Sequence, residues 1–557
     1  MTPELGQCNS SPVKNTVSWV ISHLPAVLNA SVVGSVSPEL RSTLLAQLAN
    51  LTGSLTPSTL ENSRAWLGNV THAARLLARV EGGETLRILV VGGSVTFGAN
   101  CAQPLYTAKL GGSHAYIRDQ QCAWPARLQS LVNTLFGRQA IDVESMAFGG
   151  YTSSTAVQDI LRPRRWPARW HPHGPDIIIH AFATNDMNPA FGKRTQQDSS
   201  AGRRLQGAGR HMLARLQSHG TPTAEFERRR RDGLESFIRT VLSRCDHPLL
   251  IIFDDYLGNE WNVLEHELSG HSLLAHSAQH YGLFFTSYAD MVRRWVLEHP
   301  AEGLLSPMWW YSNTVRQKRK PKHSPVFYGR QVHPGWQAHT AMAWSLAYNM
   351  ILWYAAVCNH QQWTAHRAAA DAPRRALWLP PPLFNVSTQF DQLHWRECRA
   401  DSGPDCSMHW SAMQAGADLP AEMAPFLLSS VGWTYDQQHK KWGWRPMQRR
   451  APLRLSFSGK GSALSILFMR SYGEEWGTMR VEIALDGAPS PAIVDRLPGY
   501  GAKNVSISVT ATYRLPPAPI GPILHGIPDR DRRNVTVTMM LETGGKWKLQ
   551  GMSMCDE

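Results

Sequence analysis

Four short stretches of the sequence carry groups suited to acyl transfer. Ser94 stands in Gly92-Gly93-Ser94-Val95-Thr96-Phe97-Gly98, Gly150 in Ser145-Met146-Ala147-Phe148-Gly149-Gly150-Tyr151-Thr152-Ser153, Asn185 in Ala183-Thr184-Asn185-Asp186 and His333 in Val332-His333-Pro334-Gly335. A serine hydroxyl is a poor nucleophile near neutral pH, so an imidazole within hydrogen-bond reach must take its proton as it attacks an acyl carbon. Charge then develops on the carbonyl oxygen, and donors fixed in advance at that place are worth roughly 10²–10³ in rate each. Ser94 and Gly150 offer backbone N–H groups and Asn185 a carboxamide. Asp186 is suited to hydrogen-bond the turn that presents that amide, in a supporting role. There is no HExxH, and the eight cysteines contain no CxxC, so neither a metal nor another cofactor is expected.

Positioning these groups requires a rigid frame. Residues 1–83 read as a mainly helical segment, with Leu60, Trp66, Val70, Ala74 and Leu77 at near-helical spacing. Short apolar runs then follow at Ile88 to Val91, Ile141 to Met146, Ile177 to Ala181 and Leu249 to Phe253, with enough chain between them for crossover helices. This is the pattern of buried parallel strands in a doubly wound α/β sheet, in which ligands sit beyond the carboxyl ends of the strands. Ser94, Gly150 and Asn185 all fall just after such runs. The uncharged stretch Ala341 to Cys358 reads as a buried helix rather than a membrane span. After the proline-rich Leu377 to Leu383 the rhythm changes to period 2, as in Leu453, Leu455 and Phe457, in Met479, Val481, Ile483 and Leu485, in Val505, Ile507 and Val509, and in Val535, Val537 and Met539, then Trp547 and Leu549. Each run predicts a half-buried antiparallel strand, and together they predict a β-sandwich over 384–557.

In this order the four stretches resemble the sequence blocks of the SGNH (GDSL-like) serine hydrolases, over roughly residues 86–357. The resemblance implies a three-layer α/β/α hydrolase domain, bounded here as 84–376, with Ser94 as nucleophile and His333 as base. It further implies an oxyanion hole made by the Ser94 and Gly150 N–H groups and the Asn185 amide. The sequence departs from the family at the catalytic acid, whose usual place three residues before the histidine is taken by Arg330. A cation cannot orient the imidazole. Asp254, Asp255 or Asp290 would have to supply a carboxylate, or a backbone carbonyl would have to hold the ring in a Ser-His dyad. Ser145 and Ala183 also stand where the family has Asn and Gly. More loosely, Gly432-Trp433, Trp442-Gly443-Trp444 and Arg470-Ser471-Tyr472 to Trp476-Gly477 resemble the C-terminal, jelly-roll-like sandwiches of SGNH-type proteins that act on glycans. Such tryptophans either stack on sugars or fill the core. The implied activity is hydrolysis of an O-acyl ester, foremost O-acetyl, on a carbohydrate. Acyl transfer, a lipid ester substrate and a non-catalytic glycan-binding role on the same scaffold are the alternatives.

Composition sets the outer bounds. At 557 residues with 43% hydrophobic and 18% charged side chains, the chain has material for two or three globular domains. The formal charge of +13 has clusters at Arg228 to Arg231 and from Arg316 through Lys322; charge alone favours anions such as phosphate, anionic lipid or acidic polysaccharide, and with no nucleic-acid motif beside the clusters no nucleic-acid partner is expected. The acylated glycan expected as partner is what the family resemblance implies. Sequons at Asn9, Asn29, Asn50, Asn69, Asn385, Asn504 and Asn534, with an even number of cysteines, favour the secretory lumen or the extracellular space. The first residues show no signal peptide. Cys101 and Cys122 flank a loop beside Ser94, where a disulfide would stiffen the rim of the site.

Overall fold

The computed structural model describes residues 49, 51, 53, 55–63, 66–99, 101, 122–161, 168–170, 174–186, 224–244, 246–255, 272–292, 334, 336–359, 379–384, 406–412, 419–436, 442–459, 461, 463–473, 475–501, 506–516 and 532–555. The first half is an α/β unit. After helix α1 (Val70–Glu81) come β1 (Leu86–Gly92), α2 (Trp124–Phe136), β2 (Ile141–Ala147), α3 (Ser153–Leu161), β3 (Ile177–Ala181), the single turn α4 (Ala183–Asp186), α5 (Ala224–Leu242), β4 (Leu249–Asp254), α6 (Ser272–His280), β5 (Phe284–Ser287) and the long α7 (Trp336–Asn359). The five strands are parallel in the order β2-β1-β3-β4-β5. That is a doubly wound order with its switch point between β1 and β3, where a crevice opens at the carboxyl ends.

Both faces of this sheet are covered, which is why its strands read as unbroken apolar runs. Ile88, Val90, Ile177, Ile179 and Ile251 face a core shared with α1, α2 and α7. Leu89, Val91, Ile178 and Ile252 face a second core built with residues of α3, α5 and α6. Helix α7 is almost wholly buried over Trp336 to Tyr348, and no described helix is long and apolar enough to cross a membrane. The helical spacing expected from Leu60 to Leu77 does not survive as one helix. A short helix ends at Glu61, Trp66 pairs with Phe285 of β5, and α1 starts only after Asn69, whose Oδ1 accepts the His72 N–H at 3.1 Å. The chain between the two helices runs against the backbone of residues 282–285, so close at Gly68 that a Cβ would lie 2.6 Å from the Leu283 and Phe284 backbone.

The second half consists of antiparallel strands β6 (Cys406–Ser411), β7 (Leu427–Ser429), β8 (Trp433–Asp436), β9 (Gly443–Pro446), β10 (Leu453–Gly459), β11 (Ala463–Arg470), β12 (Thr478–Leu485), β13 (Ile493–Pro498), β14 (Ile507–Arg514), β15 (Arg533–Leu541) and β16 (Lys548–Cys555). They form one sheet ordered β13-β12-β15-β10-β7 and another ordered β14-β11-β16-β9-β8, with β6 added beside β16. One core joins them, with Leu455, Val481 and Val537 from the first sheet meeting Ile466, Phe468, Trp547 and Leu549 from the second. Trp433 and Trp444 lie in that core, 8% and 7% exposed, so they are packing residues. A Cys406–Cys555 disulfide ties β6 to β16, and a Cys101–Cys122 disulfide lies in the α/β unit.

The connection between the halves is strapped down. Glu235 of α5 accepts the backbone N–H groups of Leu383 and of Phe384 (3.2 Å) as well as the Tyr281 hydroxyl. Arg239 donates to the Pro380 carbonyl at 2.7 Å, and Arg231 stacks over the Phe384 ring. Within the basic cluster of this helix Arg228 pairs with Asp232 at 2.8 Å and Arg230 with Glu227 at 2.9 Å. The cluster from Arg316 through Lys322 lies outside the described residues.

Candidate active site

Ser94 occupies the turn that leaves β1, half-buried, with its carbonyl accepting the Ala99 N–H at 3.0 Å. The two glycines before it are required by what presses against them. A Cβ on Gly92 would meet Thr96 Oγ1 at 2.2 Å and the Ala181 carbonyl at 2.8 Å, and a Cβ on Gly93 would meet Asn185 Nδ2 at 2.0 Å. The Gly-Gly-Ser run therefore does more than allow a tight turn. It leaves the space that the Asn185 carboxamide occupies, directly beside the serine.

Asn185 reaches that space from the single turn α4 at the end of β3. Its Nδ2 donates to the Tyr151 carbonyl at 2.5 Å, and an amide NH₂ carries a second hydrogen. Gly150 lies in the turn after β2. Tyr151 N–H closes that turn on the Phe148 carbonyl at 3.2 Å, while Phe148 N–H donates to the Gly92 carbonyl at 3.1 Å. Gly150 has φ +85°, the left-handed conformation a turn of this kind asks of its third residue. A Cβ on the neighbouring Gly149 would stand 3.8 Å from Ser94 Cβ. Ser94, Gly150 and Asn185, the ends of three adjacent strands, thus converge at the switch point. His333 and Arg330 lie outside the described residues. Pro334 is buried, and α7 starts at Trp336.

Asp186 is bonded to Ser153 and holds the frame. Its Oδ1 accepts the Ser153 N–H at 3.0 Å, and its Oδ2 accepts the Ser153 hydroxyl at 2.5 Å. The same hydroxyl lies 2.6 Å from His180 Nε2. Burial pushes the His180 pKa down to about 3, so the ring is neutral, and with Nε2–H as donor the proton order runs His180 to Ser153 to Asp186. Burial pushes the Asp186 carboxyl up to about 6, against the hydrogen bonds from Ser153 and the charge of Arg230. This chain clamps the start of α3, and with it the Gly150 turn, to the turn bearing Asn185. Sequence reading singled out Asp186 but missed Ser153 and His180. Ser153 was visible only as the end of the Gly149-Gly150 stretch, and His180 is a lone histidine in an apolar strand.

The candidate acids stand at the ends of β4 and β5. Asp254 Oδ2 accepts from Ser287 Oγ at 3.2 Å, and Ser287 Oγ accepts the Asp290 N–H at 3.0 Å. Asp255 Oδ1 takes the Thr184 N–H at 3.3 Å. Burial, reinforced by the charges of Asp254 and Asp186, raises the Asp255 carboxyl to about 7, the Thr184 N–H opposing the rise. The first turns of α7 reach this end of β4 through Trp124, whose N–H donates to His339 Nδ1 at 3.2 Å and whose ring meets Phe253 edge-on at 5.1 Å. Among the described residues no group of histidine, cysteine or carboxylate side chains could hold a metal ion.

No protein-family model matches the chain, and no curated protein matches it. Solved structures show distant likenesses. A two-domain esterase active on acetylated mannans, crystallised with mannopentaose, superposes over 89% of this chain and 98% of its own, at 13% identity and TM-score 0.47. The α/β hydrolase LAE5, from the metagenome of Lake Arreo in Spain, covers 48% of this chain and 96% of its own at 13% identity and TM-score 0.21. A family 35 carbohydrate-binding module from Clostridium thermocellum covers 26% of this chain and 95% of its own at 7% identity and TM-score 0.15. Identity and superposition are both too low for any of these proteins to lend its activity to this chain.

Proposed function

We propose that the chain is an SGNH-type serine esterase that removes an O-acyl group, foremost acetyl, from a carbohydrate. The observation that carries this is the convergence of Ser94, the Gly150 turn and the Asn185 amide, with Gly93 reduced to hydrogen where that amide sits. In the proposed mechanism Ser94 Oγ attacks the acyl carbon while His333 takes its proton. The oxyanion is held by the N–H groups of Ser94 and Gly150 and the second amide hydrogen of Asn185. Collapse expels the sugar alkoxide, which takes the proton from His333, and leaves an acyl-serine. Water, deprotonated by the same histidine, then releases the acid and restores Ser94. The carboxylate supporting His333 is proposed to come from Asp254, Asp255 or Asp290, since the first turns of α7 meet that end of β4 through Trp124.

The hydrolase domain is proposed to span 84–376 and the sandwich 384–557, with glycan held across both. Tyr472 and Tyr500, 47% and 37% exposed, are suited to stack on sugar rings, whereas Trp433 and Trp444 are committed to the core. The two disulfides suit a secretory or extracellular setting. Labelling of the full chain by a fluorophosphonate tests the reading. Parent protein should label and Ser94→Ala should not, with folded circular dichroism in both, and a panel of acylated sugars should then identify the ester. Arg330, standing where the family places its acid, favours a second reading as a non-catalytic glycan-binding protein, which an unlabelled parent would support.

A further inference from the structure

The open edge of one sandwich sheet ends on the proposed oxyanion turn. Among the described residues strand β14 pairs with β11 on one side only, so alternate N–H groups along its other side are left for a different partner. The Ser508 N–H finds one in the carbonyl of Gly150, at 3.3 Å. Two residues earlier, the Ser506 carbonyl lies 2.7 Å from where a Gly150 Cβ would be, with Ile507 Cα at 3.2 Å. Gly150 is therefore held twice, by its own turn and by a strand nearly 360 residues further along the chain.

That strand is itself pinned by side chains whose hydrogen bonds stay within the sandwich. Ser508 Oγ donates to Oε1 of buried Gln550 on β16 at 2.9 Å, and Ser506 Oγ lies 2.6 Å from Ser471 Oγ. The line runs from β16 through Ser508 to Gly150, and from Ser471 through Ser506 to the same glycine. An oxyanion donor lowers a barrier only if it is already aimed when charge develops, and the φ of Gly150 sets the aim of its N–H.

We propose that Ser506 and Ser508 of the sandwich are positioning residues of the hydrolytic site, fixing the Gly150 N–H in its oxyanion-binding direction. This rests on the esterase reading and deepens it, because the second domain becomes part of the catalytic frame for every substrate, including those too small to touch it.

The test uses full-length protein and a small activated acetate ester beside an acetylated polysaccharide. Ser508→Pro removes the N–H that meets the Gly150 carbonyl, with circular dichroism and thermal unfolding checking that the sandwich stays folded. It should lower kcat on both substrates by about 10²-fold, the effect of one oxyanion donor. Ser471→Ala with Ser506→Ala, which keeps the backbone, should lower kcat by about tenfold on both with KM unchanged, and Ser506→Thr should retain activity. Inhibition by phenylboronic acid, a tetrahedral mimic, should weaken by the same factor as kcat/KM, a readout that general loosening would not match. Unchanged kcat and inhibition in the serine pair, or losses confined to the polysaccharide, would overturn the proposal while leaving the esterase reading intact. A parent that neither labels with fluorophosphonate nor turns over the small ester would overturn both.

Discussion

The two sheets of the sandwich are built from similar sequence and meet different surroundings. In the sheet containing β10 and β15, buried and exposed positions alternate, as Leu453 to Gly459 shows in its strict inward-outward order. In β11 and β16 every residue is buried. Leu464, Ile466 and Phe468 point into the core between the sheets, and Leu467, on the opposite face, is also fully buried. Cys555 at the end of β16 joins the α/β core, and β14 packs on α3. The difference teaches that the sandwich is docked through one sheet onto the α/β unit, with its other sheet facing outward.

The most damaging way to break that comparison is to place a charge on each outer face. Leu467→Asp should destabilise by at least about 3 kcal/mol, because it leaves a carboxylate in a fully buried site. Thr536→Asp on β15, beside Ser456 and Ala484, should cost under about 1 kcal/mol. Urea unfolding of both variants measures the gap, and equal midpoints would show the docking sheet to be solvated after all.

Two left-handed glycines sharpen it next. Gly150→Ala meets both the φ of +85° and the Ser506 carbonyl at 2.7 Å, so activity should fall by about 10²-fold or more. Gly487 has φ +70° with nothing within 4 Å of an added Cβ. Gly487→Ala should cost only the backbone preference, about 1 kcal/mol, with turnover unchanged. Turnover with the small acetate ester, followed alongside thermal unfolding, separates the two.

The halves should also answer pH with opposite signs. Asp255 and Asp186 have folded pKa values raised to about 7 and about 6 from 3.8. The folded state then holds protons that the unfolded chain has released, so this contribution is complete below pH 4 and is lost as pH rises through 6 to 7. Exposed Glu475 and half-buried Glu542 of the sandwich are shifted down, the first by its own backbone N–H and Lys546, the second by Arg496. Their contribution is present above the ordinary carboxylate range and fades as pH falls. Asp255→Asn should therefore raise Tm by a few degrees at pH 8 and leave it unchanged at pH 4. Glu542→Gln should lower Tm slightly at pH 8 only. An Asp255→Asn protein that loses stability equally at both pH values would refute the burial account. Should it also lose orders of magnitude in kcat, Asp255 is the acid serving His333.

The same contrast explains what could be read without coordinates. Parallel strands covered on both faces announce themselves as apolar runs, so Ile88 to Val91 and Ile177 to Ala181 were legible, as were the residues at their carboxyl ends. Alternation was legible in β10, β12 and β15 because one face stays wet. It misled for Trp547 and Leu549, whose neighbours Lys548 and Gln550 look solvent-facing yet are buried, Lys548 paired with Asp436 at 2.9 Å and Gln550 accepting from Ser508. The helical spacing around Trp66 misled for a similar reason, since only Gly68 against the backbone of residues 282–284 reveals the break. The contact of residues 506 and 508 with Gly150 was invisible because it is made by backbone groups, which sequence does not distinguish.

The smallest expected effect concerns the sandwich surface just beyond that contact. Ser471, bonded to Ser506, pairs with Tyr500 in a short bridge, and Tyr472 follows it in sequence, so two exposed tyrosines neighbour the hydroxyl pair proposed to position the Gly150 turn. A phenol ring stacks on a pyranose with a modest energy that depends on area more than on sequence, and it makes the same contact before and during acyl transfer. Such uniform binding changes KM and leaves kcat alone. Tyr472→Ala with Tyr500→Ala should therefore raise KM for an acetylated polysaccharide by roughly three- to tenfold, with kcat and small-ester hydrolysis unchanged. The serine pair behind the rings should show the converse, a fall in kcat on both substrates at constant KM. Tyrosine variants that lower kcat on the small ester would place the rings in the catalytic frame, and variants with unchanged KM on a range of acetylated polysaccharides would remove them from the binding surface altogether.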